Sequence, residues 1–209
     1  MNVPAATLIS TSARPTDELA AKRERVDGMR FHLRHATRDE HDATEAAFAC
    51  FDLSTRDGYR DFLLAHAGAL AALEPSLRNG GWSGWTSRRH LLQTDLRDLG
   101  ILLLPDLVEG AVSLPSDAHL WGAQYVLEGS RLGGAVLARN VPAGCPVRYL
   151  DTSASDQVSA TRPWQEFCCS LEEIAKHQGG SWKDDVEQGA RTAFALFRHH
   201  ANTTSGHVS

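Results

Sequence analysis

The sequence predicts an all-α protein, a multi-helical bundle in a single domain. Apolar residues recur at intervals of three and four through every patterned segment, no stretch alternates with period two, and Gly and Pro residues punctuate the gaps. With 42% hydrophobic and 22% charged side chains in 209 residues, the chain can bury one sizeable core and is too apolar for disorder. No internal repeat is visible.

Residues 1–27 are short of large apolar groups and carry mixed charge from Glu18 to Asp27, which predicts a mobile tail ahead of a folded region at 28–204 and a flexible end at 205–209. Leu33, Thr37, His41, Thr44 and Phe48 share roughly 80° of helical arc, so one amphipathic helix is expected over 28–49, with His41 at the edge of its buried face. Ser54 and Asp57 resemble a capping box for a second helix, whose Tyr59, Phe62, Leu63, His66, Leu70 and Leu73 carry the pattern to Pro75. Gly80 and Gly81 break the chain, and a third helix is expected from about Ser87 through Leu91, Leu92 and Leu96 to a stop at Gly100. Pro105 and Pro115 bracket a weakly patterned connector.

Ser116 can cap a fourth helix that continues to about Asn140 and is ended by Pro142, after which 142–155 reads as a surface loop. A fifth helix carries Trp164, Phe167, Leu171 and Ile174 and ends at Gly179 and Gly180. A sixth, cappable by Ser181 and Asp184, turns Trp182, Val186, Ala190, Phe194 and Phe197 inward.

The fourth helix contains Gly129, Gly133 and Gly134 within two turns. Each glycine costs a helix interior roughly 1 kcal/mol relative to Ala, about 3 kcal/mol in one place. Gly129 and Gly133 stand four apart on one face and leave a bare strip of main chain, against which either a flat ligand or a second helix can press.

A net charge of −5 without a dense Lys/Arg tract gives no electrostatic footprint for nucleic acid. No apolar run reaches the length of a membrane span, and the first residues lack the basic-then-apolar pattern of a secretory leader. Cys50, Cys145, Cys168 and Cys169 form no CxxC pair, which suits a reducing cytoplasm. Neither nucleic acid nor membrane is expected as a partner, and the lack of a long apolar seam predicts a monomer.

Ten histidines make any single one weak evidence, since a lone His near an apolar face is most often a core residue. His41 has more: Glu45, one turn on, can take the proton of one ring nitrogen while the other faces a metal. His35 and Asp39 share that spacing, but His35 lies about 160° from Leu33 and from the apolar arc. The chain has no clustered zinc ligand set and no paired Glu-x-x-His, so a single imidazole suits a metal whose equatorial ligands arrive with a cofactor, as in haem. No nucleophile elbow, Walker sequence or Rossmann fingerprint occurs in a strand-to-helix setting.

Arg34-His35-Ala36-Thr37-Arg38-Asp39-Glu40-His41-Asp42-Ala43-Thr44-Glu45 and Tyr125-Val126-Leu127-Glu128-Gly129-Ser130-Arg131-Leu132-Gly133-Gly134 resemble, in order and separation, the proximal and distal helices of biliverdin-producing haem oxygenases, particularly their bacterial branch. The resemblance spans roughly residues 30–201. It implies haem as both substrate and cofactor, held by His41 as axial ligand, with Glu45 orienting the ring, and bordered by Thr37, Tyr125, Gly129, Ser130, Gly133 and Gly134. His41, Gly129, Ser130 and Gly133 are the implied catalytic set, and Arg34 the implied partner of a haem propionate.

The implied reaction opens haem to biliverdin with release of CO and ferrous iron. It consumes dioxygen and electrons from a ferredoxin- or flavodoxin-type reductase or a small reductant, because the chain has no flavin or nicotinamide fingerprint. A bilin acceptor such as a phytochrome is an implied partner. One position departs from the better-known pattern: Ser130 stands where mammalian relatives carry an aspartate. A hydroxyl can join a water relay but lacks a carboxylate's charge. Glu128 is the nearest carboxylate, and in the fifth helix Gln165 aligns loosely with a propionate-gripping position, beside the cation Arg162. The Ser130 departure keeps open a haem-binding module that senses or delivers haem without degrading it.

Overall fold

The computed structural model describes residues 28–78, 80–102, 111–151 and 161–206, and among these it contains helices and no strand. The predicted 1–27 tail and most of the connector between Pro105 and Pro115 lie outside the described residues. The helices are α1 (Met29–Ala36), α2 (Arg38–Phe48), α3 (Arg56–Leu77), α4 (Arg89–Asp98), α5 (Asp117–Leu137, followed by a 3-10 turn at Ala138–Asn140), α6 (Thr161–Ala175) and α7 (Gly180–Gly206). No described helix is long and apolar enough to cross a membrane.

The helix expected over 28–49 is two helices, broken at Thr37 (φ −109°, ψ 14°). Thr37 is buried and its hydroxyl donates to the Leu33 carbonyl at 2.7 Å, a side-chain bond to the preceding turn that bends helices. Arg191 of α7 stabilises the break by donating to the Ala36 carbonyl at 2.7 Å. The other end of α1 is capped from α6: the Glu172 carboxylate accepts from Met29 N at 2.8 Å and Arg30 N at 2.9 Å, satisfying two amides that the helix leaves free. Neither α7 nor α6 is near α1 in sequence, so both contacts were invisible to local pattern.

Two other boundaries differ from expectation. Thr55, not Ser54, caps α3, accepting from Gly58 N at 3.1 Å, while the Ser54 hydroxyl donates to Asp52 at 2.6 Å. Pro75 lies inside the last turn of α3 instead of ending it. The connector clamps that turn: Val112 N donates to Ala72 O at 2.9 Å, and the Ser76 hydroxyl donates to Val112 O at 2.5 Å. The stop at Gly100 is as expected, with φ +89° in the left-handed region that glycine tolerates.

The core forms around α5 and α7, which meet backbone to backbone. A Cβ on Gly122 would overlap the Val186 carbonyl, and one on Gly189 would overlap the His119 carbonyl. Ala123, Val126 and Leu127 of α5 and Ala190, Phe194 and Phe197 of α7 are buried with Tyr59, Phe62, Leu63, Leu70 and Leu73 of α3. Trp82, Trp121, Phe167 and Leu171 form a second cluster under α1, where Met29 and Leu33 are buried.

Gly122→Ala should therefore lower stability by about 3 kcal/mol through overpacking, measured by urea denaturation of the ligand-free protein. Loss of less than the experimental error would show that the α5–α7 crossing can open without penalty.

Candidate functional site

The C-terminal half of α5 presents two unlike faces. Gly134 faces inward, where a Cβ would lie 2.5 Å from the Leu150 carbonyl oxygen. Gly129 and Gly133 face outward: a Cβ on Gly133 meets nothing within 4 Å, and one on Gly129 meets only the Trp164 ring, at 3.5 Å. Leu132 and Val136 lie on the same face and are exposed, so the i, i+3, i+4, i+7 positions make a stripe of bare backbone edged by apolar side chains. Among the described residues no helix covers this stripe closely. The glycines whose spacing could have meant helix packing do not pack a helix; Gly122 does.

His41 projects from α2 with 55% of its side chain exposed. Its ring edge rests on Phe194 of α7 at a centroid distance of 6.0 Å. The Glu45 carboxylate lies 3.7 Å from Nε2, and Asp42, which the sequence reading passed over, lies 3.5 Å from Nδ1. These are ion-pair distances longer than a good hydrogen bond. Both carboxylates are exposed side chains, so swinging either one away would uncover one ring nitrogen while the other carboxylate still steers the ring.

Glu40, the residue before His41, sits between Arg191 and Arg198 of α7: Arg191 reaches it at 3.3 Å, and Arg198 makes the closer ion pair. This clamp fixes α2 on α7.

A run of aromatic contacts connects the imidazole's helix to the glycine helix. Phe48 of α2 packs on His66 at 4.7 Å, His66 on Tyr149 at 5.6 Å and on Phe197 at 5.3 Å, and Tyr149 precedes the Leu150 that touches Gly134. His66 had been read only as part of the apolar pattern of α3. It is a half-buried imidazole whose pKa is lowered to about 4 by loss of solvent around it, with Nδ1 3.0 Å from the Phe62 carbonyl. On the other side, Tyr125 of α5 packs at 5.6 Å and a tilt of 51° on Trp164. Burial pushes the Tyr125 phenol up to about 12, while the Arg34 and Arg30 guanidiniums oppose the shift.

Among the expected site residues, Arg34 is exposed and makes no ion pair with a described residue, so its charge is available to an anionic ligand. Thr37 is 2% exposed with its hydroxyl spent on Leu33 O, so it shapes the α1–α2 bend. Gly134 is a packing glycine against Leu150. Ser130 is exposed at the edge of the stripe, its hydroxyl donating to Leu127 O at 2.8 Å and accepting from Arg88 at 3.4 Å. Glu128 is buried and paired with Arg131 at 2.7 Å, so it does not face the stripe. Arg162 is paired with Glu166 on the surface, and Gln165 is exposed.

Fold and site together define an all-α protein that sets an exposed imidazole on one helix and a side-chain-poor apolar face on another. No protein-family model matches the chain. A curated protein named "Heme oxygenase" from Xanthomonas campestris pv. campestris is 34% identical over 156 residues, covering 68% of this chain and 87% of that one. The solved structure of a heme oxygenase from Leptospira interrogans superposes with a TM-score of 0.66 at 18% identity, over 84% of this chain and 99% of that one. The chain belongs to the haem oxygenase family.

Two substitutions test the site without ligand. Gly133→Ala should raise the stability of the ligand-free protein by up to about 1 kcal/mol, because the methyl meets no atom and alanine is the better helix former; destabilisation in a urea melt would mean the face is covered. For His66, the folded pKa of about 4 lies below the ordinary value of 6.5, so between those limits the unfolded chain binds the extra proton. Its contribution is present above pH 6.5 and is lost as pH falls towards 4. His66→Gln should thus lose less stability than wild type between pH 7 and pH 4.5, by about 2 kcal/mol in paired urea melts.

Proposed function

We propose that this chain opens haem oxidatively to biliverdin, releasing CO and ferrous iron, with dioxygen and with electrons supplied by a separate ferredoxin- or flavodoxin-type reductase or a small reductant. The open face of Gly129, Leu132, Gly133 and Val136 carries this reading. An isolated helix does not bear two such glycines without loss, and a planar macrocycle is the partner for which a strip of bare main chain is the right surface.

When bound, haem supplies the iron at which dioxygen is activated. The chain's residues do the rest. His41 would hold the iron through one ring nitrogen, and the carboxylate beside the other nitrogen, Asp42 at Nδ1 or Glu45 at Nε2, would steer the ring. Gly129 and Gly133 would bring main chain against the bound macrocycle and restrict the direction in which a small ligand can lie, while Leu132 and Val136 would displace water from it. Arg34 pairs with a propionate and so sets the rotation of the macrocycle, on which the choice of meso carbon depends. Tyr125 and Trp164 close the side nearest Arg34. The site of action is the cytoplasm, and the bilin passes to an acceptor such as a phytochrome.

Hemin-loaded protein supplied with reductant and air should lose its Soret band as bilin absorbance grows; a persistent band would assign the chain to haem carriage. His41→Ala should still take up hemin through apolar contact but fall in turnover by about a hundredfold or more, as loss of an orienting group does, and regain turnover with added imidazole. Normal turnover by that variant would remove His41 from the ligand position.

A further inference from the structure

Directly behind the Gly129–Ser130 wall the chain buries charges that holding and orienting haem do not use. Glu74 is 3% and Glu128 1% exposed. The Ser87 hydroxyl donates to Glu74 at 2.7 Å, and Arg131 donates to Glu128 at 2.7 Å. Burial pushes both carboxyls up, and neighbouring guanidiniums oppose the shift. Arg88 lines the same chamber as the two carboxylates and lies 5.1 Å over the Tyr149 ring. Its Nη1 donates to the Tyr149 carbonyl at 3.5 Å, and its Nη2 is shared between the Leu127 carbonyl and the Ser130 hydroxyl, both at 3.4 Å. Leu70, Glu74, Trp85, Arg88, Leu127 and Glu128 border a chamber of about 10 Å³, the room that one water needs.

The shared donor has a consequence for Ser130. Its one proton is committed to Leu127 O. If that proton turned outward in a site without Arg88, the Leu127 carbonyl would be left without this donor, a loss that disfavours the turn. Here Nη2 already points at both oxygens, so Leu127 O keeps a donor when the hydroxyl leaves it.

We propose that Arg88 is a positioning residue that frees the Ser130 hydroxyl to donate towards a ligand on the bare face of α5, and that one ordered water in the chamber joins Arg88 to Glu74 and Glu128. Lysine cannot replace it, because an ammonium on a flexible stem lacks the planar fork that reaches two acceptors at once. The role in turnover rests on the haem-cleaving function proposed above, whereas the water and the hydroxyl's freedom do not.

The test uses wild type, Ser130→Ala, Arg88→Gln, Arg88→Lys and the Ser130→Ala/Arg88→Gln double variant. A high-resolution crystal structure of the wild type should show one chamber water bonded to Arg88 and to a Glu74 or Glu128 oxygen; a dry chamber overturns that part. In the ferrous haem-loaded proteins under CO, the C–O stretching band should shift equally in Ser130→Ala, Arg88→Gln and Arg88→Lys, because each removes the same hydrogen bond. An unmoved band in all three overturns the proposal, whether or not the protein degrades haem. In turnover, Ser130→Ala and Arg88→Gln should each lower kcat about tenfold with hemin affinity unchanged, and the double variant should be no slower than either. Multiplied losses, or a matching fall in hemin affinity, would mean that Arg88 only supports the fold. If the wild type makes no bilin, the function fails and the CO band alone decides the role of Arg88.

Discussion

Backbone contact between α5 and α7 governs the position of everything else. Gly122 lies against the Val186 carbonyl and Ala190 amide, and Gly189 against the His119 carbonyl, so neither helix can rotate or slide without a clash. The helix that carries the bare face is thus rigidly seated. From α7 the same rigidity passes to the imidazole: Arg191 and Arg198 clamp Glu40, Arg191 also caps the end of α1, and Phe194 supports the His41 ring. Partly exposed ion pairs contribute modest stability. Here they fix direction, because two guanidiniums on one carboxylate leave α2 a single way to lie.

Along α5, one residue type serves two physical purposes. Gly122 and Gly134 are filled against by other backbone, and close packing offsets their conformational cost. Among the described residues Gly133 has no such compensation, and Gly129 has only an ordinary contact with the Trp164 ring. A helix interior with two unrepaid glycines is a local weakness, the kind of departure from consistent sequence preference that marks functional sites.

The elements legible in the sequence were those whose signal is local. Tyr59, Phe62, Leu63, Leu70 and Leu73 named the buried face of α3, and Val186, Ala190, Phe194 and Phe197 that of α7, because helical period and burial coincide there. What escaped reading was set by distant chain. The break at Thr37 needs Arg191, and the start of α1 needs Glu172, each more than 140 residues away. Gly134 looked like its neighbours Gly129 and Gly133, and only the position of Leu150 separates them. His66 fitted an apolar pattern so well that its chemistry was overlooked. Its ring packs as an aromatic would, among Phe48, Phe62 and Phe197, while remaining a polar group. Asp42 was missed because adjacent residues do not share a helix face, yet a ring at the helix surface can be reached from the side.

The break at Thr37 also explains why the imidazole is exposed. A continuous helix over 28–49 would have kept His41 in register with buried Leu33, at the edge of the core. With the bend, α1 follows the tryptophan cluster and α2 follows α7, so the two segments bury different faces and His41 leaves the buried arc. An axial ligand must offer a nitrogen to an incoming disc before any contact with that disc exists, so it has to be held by groups on its own side. Phe194 against the ring, Asp42 and Glu45 beside its two nitrogens, and the Glu40 clamp at the preceding residue supply support of that kind for the role proposed for His41.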